Sequence, residues 1–288
     1  MNRIKLDRLP ETGQDSETKL ISVLSGKGGV GKSIISSNLA DRLAAQGQKV
    51  LIVDADFSAG NQHILANVRC PHGLRQFASG EMKLGEAIVS ISESVDLLGS
   101  SWTGGVVDGL DVTGAAHLAR DLREHGQDYD YIVVDHCSGI SRPATVLAHA
   151  SDISVLLIVP ELTSIADGYG LYKFLVDTNR HIDCRLIVNR CRSEEEAEQI
   201  RDRMTTLANE FLGQSPRWLG GILESDLFRK SLGAQKPLAE IAEDSTTVLK
   251  INEIARTLSG HSIKFASRIE ASINHQDNEK PALADIKG

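Results

Sequence analysis

One eight-residue loop limits the fold of this chain more than any other feature of its sequence. It reads Gly-Lys-Gly-Gly-Val-Gly-Lys-Ser from Gly26 to Ser33, follows the apolar run Leu20–Leu24 and precedes a helical pattern that begins near Lys32. Glycines let a backbone turn its N–H groups inward with no Cβ in the way, and a following helix N-terminus adds partial positive charge. A strand, loop and helix in this order predict a cradle for nucleotide phosphates.

The loop residues have separate parts in that prediction. Lys32 is expected to reach the β- and γ-phosphates, and the Ser33 hydroxyl is expected to ligate Mg²⁺. Lys27 is a second lysine, and the loop pattern alone favours a solvated cation there. The expected nucleotide-binding residues of the loop are Gly26, Lys27, Gly28, Gly29, Val30, Gly31, Lys32 and Ser33.

Apolar runs of strand length alternate with amphipathic stretches along most of the chain. The predicted strands are Leu20–Leu24, Val50–Asp54, Val95–Leu98, Tyr131–Asp135, Ile153–Val159, Arg185–Asn189 and Trp218–Ile222. The predicted helices are Lys32–Gln46, Val112–His125, Pro143–Ala150, Ser164–Asn179 and Glu194–Leu212. This alternation predicts an α/β fold with a single doubly wound, mostly parallel sheet and helices on both faces. We expect an N-terminal extension over 1–18, a P-loop domain over 19–262 and a largely disordered tail over 263–288.

Acidic residues end two of the predicted strands. Asp54 and Asp56 close one strand and share a face, because side chains alternate with period two, and Asp135 closes another. Carboxyl ends of parallel strands lie beside the phosphate loop in such sheets. The alternative is that Asp54 and Asp56 only cap a loop.

The loop with its early lysine resembles the deviant Walker A loop of the MinD/ParA family of P-loop ATPases. The resemblance covers roughly residues 20–258. It implies that Lys27 touches the phosphates of the nucleotide held by the other subunit of a homodimer, so that ATP drives dimerisation. It also implies that Asp56 orients the attacking water, that Asp54 supports the magnesium shell, and that Asp135 reaches magnesium through water.

Three more positions follow from the resemblance. Gly139 would present its backbone N–H to the γ-phosphate, although His136 and Cys137 before it depart from the family pattern. Asn189 and Arg190 resemble an element whose asparagine amide pairs with the adenine edge, and an amide offers the donor and acceptor this requires. A simple strand-end turn is the alternative there.

A weaker expectation concerns Glu224. It lies in a segment that parallels the loop with which members of the family contact the nucleotide base. A His–Cys pair could suggest a nucleophilic enzyme, but adjacent strand-end residues point apart, so we do not expect Cys137 to be catalytic.

Segments such as Thr163–Tyr169 resemble the FlhG (FleN) members of the family. The resemblance implies a slow ATPase that uses ATP and Mg²⁺, releases ADP, and regulates the number or placement of flagella or division sites. It further implies a homodimer in the ATP state and a protein partner that stimulates hydrolysis or is regulated. Family likeness alone suggests a weak peripheral contact with the inner membrane.

Charge and cysteine usage bear on the alternatives. The net charge of −8 argues against nucleic acid as a partner, and so against a ParA-type DNA partition ATPase. The four cysteines show no paired spacing, which argues against a cluster-bearing reductase. An amide-forming synthetase and a non-hydrolysing nucleotide-binding module stay open. The polar N-terminus is not a signal peptide and no apolar run reaches ~18 residues, so we expect a cytoplasmic protein.

Overall fold

One sheet positions the residues singled out above. The computed structural model describes residues 18–57, 60–100 and 111–260. In these residues the strands are β1 (Lys19–Leu24), β2 (Val50–Ala55), β3 (Ile88–Ser90), β4 (Val95–Leu98), β5 (Tyr131–His136), β6 (Ile153–Ile158), β7 (Cys184–Cys191) and β8 (Arg217–Leu223). Their order is β3-β4-β2-β5-β1-β6-β7-β8, and within the described residues each pairing is parallel except that of β3 with β4.

Helices cover both faces of this sheet. In the described part of the chain they are α1 (Lys32–Ala44), α2 (Gln62–Leu65), α3 (Leu74–Ala78), α4 (Val112–His125), α5 (Arg142–Ala150), α6 (Leu162–Thr178), α7 (Glu194–Leu212), α8 (Asp226–Ala234), α9 (Leu238–Ala242) and α10 (Thr246–Ser259). Ile21 and Val23 of β1 pack with α1 and α10, whereas Leu20 and Leu24 pack on the opposite face. Strands buried on both faces explain their nearly continuous Val, Ile and Leu content. The doubly wound α/β prediction is confirmed.

Short polar side chains begin several of the longer helices. Their oxygens accept a backbone N–H two or three residues into the helix, which satisfies a donor that the helix itself leaves unpaired. The capping residues are Asp111, Ser141, Ser193, Ser225 and Ser245. These caps fix where α4, α5, α7, α8 and α10 begin.

The predicted strands and helices are all present, and no end is shifted by more than two residues. The prediction missed β3 and the short helices α2, α3 and α9, because so few residues show no period. It also missed α8 and α10, although α10 buries Val248, Ile251, Ile254, Ala255 and Leu258 on one face. The predicted N-terminal extension, apart from Thr18, and the predicted tail lie outside the described residues.

Candidate functional site

The glycine-rich loop joins β1 to α1 at the carboxyl edge of the sheet. Gly29 and Gly31 have φ angles of 77° and 95°, in the left-handed region that residues with a Cβ rarely adopt. A Cβ on Gly31 would lie 2.6 Å from Nδ2 of Asn189, and one on Gly26 would lie 2.8 Å from the Cβ of Asp167. The loop is therefore held between the end of β7 and α6. Gly31 is required by both space and backbone conformation, Gly26 by space and Gly29 by backbone conformation.

Lys32 lies inside this loop. It is buried, and its Nζ donates a hydrogen bond to Oγ of Ser25 at 3.0 Å. Burial lowers the pKa of its ammonium, while the charges of Asp135 and Asp56 oppose that effect. The Lys32 ammonium is therefore close enough to both carboxylates to be affected by their charges, at the end of the sheet where phosphates are expected.

Lys27 has different surroundings from Lys32. Its side chain is one-third exposed, and its Nζ forms an ion pair with Oε2 of Glu161 and donates to Oγ1 of Thr163 at 2.9 Å. Glu161 and Thr163 lie at the first turn of α6. The two lysines of one loop thus contact different parts of the molecule, one inside the loop and one on its outer side.

Two buried aspartates lie side by side on neighbouring strands at the loop. Asp54 of β2 and Asp135 of β5 form one register pair, and both are almost fully buried. Burial, followed by the charge of Asp135, raises the pKa of Asp54 to about 7. Burial also raises the pKa of Asp135, against the opposing hydrogen bond from the Ser33 side chain. The structure therefore brings together the three residues expected at the metal, Ser33, Asp54 and Asp135.

Gln62 also belongs to this cluster, although the sequence interpretation did not include it. Its Nε2 donates to Oδ2 of Asp135 at 2.9 Å and to the carbonyl oxygen of Ser33 at 3.0 Å. Its backbone N–H donates to Oδ2 of Asp54 at 3.1 Å. Gln62 begins the four-residue helix α2, seven residues after the end of β2, and a lone glutamine there has no spacing that marks it in the sequence.

Asp56 lies two residues after Asp54 and is only half-buried. Its backbone N–H donates to Oδ1 of Asp54 at 3.3 Å, and its charge acts on both Lys32 and Cys137. The structure therefore places the Asp56 carboxylate near the phosphate loop. Its role toward a water molecule stays a prediction.

The chain is similar to known proteins along most of its length. A family model described as an AAA domain matches residues 18–186. The flagellum site-determining protein YlxH of Helicobacter pylori is 31% identical over 244 residues, which cover 84% of this chain and 82% of that protein. The chain belongs to the MinD/ParA family of P-loop ATPases.

A second relative and a solved structure extend the similarity. The antiactivator FleN of Pseudomonas aeruginosa is 26% identical over 249 residues, covering 86% of this chain and 89% of that protein. The septum site-determining protein MinD of Pyrococcus horikoshii, solved in complex with Mg-ADP, has a TM-score of 0.69 at 24% identity. That match covers 87% of this chain and 98% of the MinD chain, so the MinD fold spans nearly the whole described region.

The residues of this MinD/ParA site fit a magnesium ion. Carboxylate and hydroxyl oxygens, as in Asp54, Asp135 and Ser33, are the ligands that Mg²⁺ prefers. The described residues contain no group of three or more His, Cys, Asp or Glu side chains placed to hold a metal ion. Such a sparse set suits Mg²⁺, which keeps several waters and shares phosphate oxygens.

The end of β7 supplies a polar group suited to a base. Asn189 is 2% exposed, and its Nδ2 donates to the carbonyl oxygen of Val30 at 2.8 Å. Its Oδ1 is buried and has no hydrogen-bond partner among the residues that the structure describes. Because an unsatisfied buried acceptor is costly, this oxygen fits an amino group supplied by a ligand such as adenine.

Arg190 and Glu224, predicted to bind nucleotide, contact each other. Arg190 adopts a left-handed φ of 61°, and its Nε donates to Oε2 of Glu224 at 2.7 Å. The hydrogen bond to Glu224, more than its charge, raises the pKa of Arg190. The carboxylate of Glu224 is thus directed at Arg190, and a contact with a base stays a prediction for both residues.

In the segment after Asp135, His136 and the backbone of Gly139 form hydrogen bonds within the protein. His136 is buried and hydrogen-bonded through Nε2 to Oγ of Ser22 at 2.8 Å, and burial lowers its pKa to about 3. Burial raises the pKa of the Cys137 thiol, which disfavours the thiolate. The N–H of Gly139 donates to the carbonyl oxygen of Ser25 at 2.9 Å, so contact with a γ-phosphate would require this bond to open or be shared.

A membrane-spanning role finds no candidate helix. Within the described residues, none of the helices is long and apolar enough to cross a bilayer.

Proposed function

We propose that this chain is a regulatory switch whose ATP-bound form is a homodimer and which sets the number or placement of a cellular structure. The observation that carries the proposal is the position of the Lys27 ammonium, on the outer side of the phosphate loop against Glu161 and Thr163. An ammonium on the outer side can meet the nucleotide of a second subunit once it leaves Glu161. Lys32 fills the corresponding role inside its own loop.

Hydrolysis in this proposal depends on positioning and charge. The loop N–H groups and Lys32 hold the phosphates, and Asp56 orients the attacking water. Ser33, Asp54 and Asp135 would hold Mg²⁺, which supplies charge neutralisation at the phosphate oxygens when bound. Because Lys27 comes from the other subunit, hydrolysis and dimer lifetime are linked. The acting unit is the domain over residues 19–262.

The regulated structure is a flagellum or a division site. YlxH is a flagellum site-determining protein, FleN is an antiactivator, and the structural neighbour MinD is a septum site-determining protein. FleN is named an antiactivator, which supports a protein partner that the switch regulates. A partner that stimulates hydrolysis is part of the proposal on family likeness alone. A weak peripheral contact of this cytoplasmic protein with the inner membrane is part of the proposal, resting on family likeness alone.

The oligomeric state with ATP and Mg²⁺ tests the switch. Light scattering after size exclusion would compare the intact chain with Asp56→Ala, Lys27→Ala and Lys236→Ala. Lys236 is the matched control, because it is an exposed lysine that also pairs with a glutamate, Glu240. We expect dimers in the intact chain and the control, and accumulated dimers in Asp56→Ala.

Lys27→Ala is expected to bind ATP and to stay monomeric. Dimers of Lys27→Ala as abundant as those of the control would overturn the trans role of this lysine. If all four proteins bind ATP and stay monomeric, the chain is a nucleotide-binding module and the switch proposal is wrong.

A further inference from the structure

Gln62 contacts each of the three residues expected at magnesium. Its side chain is 1% exposed, and its Nε2 bridges Oδ2 of Asp135 and the carbonyl oxygen of Ser33. Its backbone N–H donates to Asp54. One residue at the start of α2 therefore connects β2, β5 and the first turn of α1.

The chemistry of an amide explains why this buried position is polar. A glutamine amide has two N–H donors, and here both are used, one on a carboxylate and one on a carbonyl. An apolar side chain of the same size would pack as well but would leave the two acceptors without these donors. The Asp135 carboxylate and the Ser33 carbonyl therefore fix the orientation of the Gln62 side chain, and the side chain in turn holds these two groups in place.

We propose that Gln62 is a positioning residue for the magnesium site. By bridging Asp135 and Ser33, it holds the β5 carboxylate and the first turn of α1 at a set separation. Its backbone does the same for Asp54. Partners in the second layer of a metal site commonly orient the ligands, and their loss typically weakens metal binding by about 10–100-fold.

A consequence is that α2 is joined to the metal site. The opposite end of this short helix is held by Gln235, whose Nε2 donates to the carbonyl oxygen of Ile64 at 2.7 Å. A displacement of the magnesium ligands would therefore move α2 and, through Gln235, the end of α8. This inference rests on the magnesium–nucleotide site and not on dimerisation, so its test uses the ADP complex.

The experiment measures metal affinity directly. Mn²⁺, which electron paramagnetic resonance detects, would be titrated into the full chain with ADP bound, for the intact chain, Gln62→Met and Ile64→Ala. Methionine keeps the length of the side chain without its donors. Ile64 is the matched control, because it lies on the same helix and is half-exposed.

We expect Gln62→Met to weaken Mn²⁺ binding by about 10-fold while ADP affinity without metal changes by less than about twofold. Ile64→Ala should match the intact chain in both. A Gln62→Met protein with unchanged Mn²⁺ affinity would overturn the proposal. So would an equal loss of ADP affinity with and without metal, which indicates a general packing role.

A second variant keeps the test decisive if Gln62→Met does not fold. Gln62→Asn keeps an amide but is shorter by one methylene, so it cannot bridge Asp135 and Ser33 together. The same selective loss of Mn²⁺ affinity is expected, and normal affinity in this variant would likewise contradict the proposal.

Discussion

Asp54 and Asp135 occupy directly paired positions on neighbouring parallel strands, and both carboxylates are buried. Two like charges at such a pair repel, and burial disfavours each charge. Both effects raise the pKa of Asp54 to about 7. Without metal, this pair therefore holds a proton near neutral pH that an unfolded chain would release.

The first prediction concerns the pH dependence of stability without metal. The folded pKa of Asp54 lies above its unfolded value near 4, so between about pH 4 and 7 the folded chain binds more protons. The contribution of Asp54 to the free energy of unfolding therefore falls as pH rises through this window. We expect Asp54→Asn to gain about 1–3 kcal/mol relative to the intact chain between pH 5 and pH 8.

Urea unfolding in EDTA at several pH values checks this result. Groups distant from this site titrate equally in both proteins, so the difference between them reports Asp54 together with the Asp135 carboxyl coupled to it. A difference that stays constant with pH would contradict a raised pKa at this carboxyl.

The substitution Lys32→Met should weaken nucleotide binding strongly while changing the stability of the fold little. Burial disfavours the ammonium, whereas Asp135 and Asp56 favour it, so removing the charge should change the free energy of unfolding by less than about 1 kcal/mol. Affinity for ADP should fall by about 100-fold or more, because a charge-assisted contact with phosphate is lost. Calorimetric titration and urea unfolding measure the two quantities, and a large loss of stability would show that Lys32 is mainly structural.

Two glycines of the loop should respond differently to alanine. A Cβ on Gly26 would meet the backbone and side chain of Asp167, which predicts a loss of about 1–3 kcal/mol through overpacking. A Cβ on Gly29 would meet nothing within 4 Å, so only its φ of 77° opposes the change, at about 1 kcal/mol. Chemical denaturation of both variants tests this ranking, and the reverse order would contradict the contact with α6.

Asn189→Ala should reduce discrimination between bases. The buried Oδ1 accepts no hydrogen bond from the described residues and matches the amino group of adenine, while guanine carries an acceptor at that position. We expect affinity for ADP to fall by about 10-fold and affinity for GDP to change little. Competition binding with both nucleotides measures the ratio; an equal loss for both would assign Asn189 to loop support through Val30.

Sequence patterns predicted those parts of the fold and site that repeat or have fixed spacing. The loop around Lys32, the strand-end acids Asp54 and Asp135, and the alternation of strands and helices belong to this class. Each depends on local backbone geometry or on a period that several adjacent residues share.

Contacts between distant residues were not predictable from those patterns. Glu161 is 134 residues from Lys27, and Gln62 is 73 residues from Asp135. Each contact depends on how strands are ordered in the sheet, which places the start of α6 and of α2 beside the loop. A single glutamate or glutamine has no spacing of its own that would mark it.

The two edges of the sheet restrict how copies of this protein can associate. At one edge β3 contributes only three residues and runs antiparallel to its neighbour. At the other, the pairing of β7 with β8 shifts register twice, and Gly220 has a φ of 156°. Short and irregular edge strands resist joining to the edge of another sheet. Copies of this protein are therefore expected to associate through loop surfaces rather than by joining the edges of their sheets. Nucleotide binding and hydrolysis can reverse contacts of that kind.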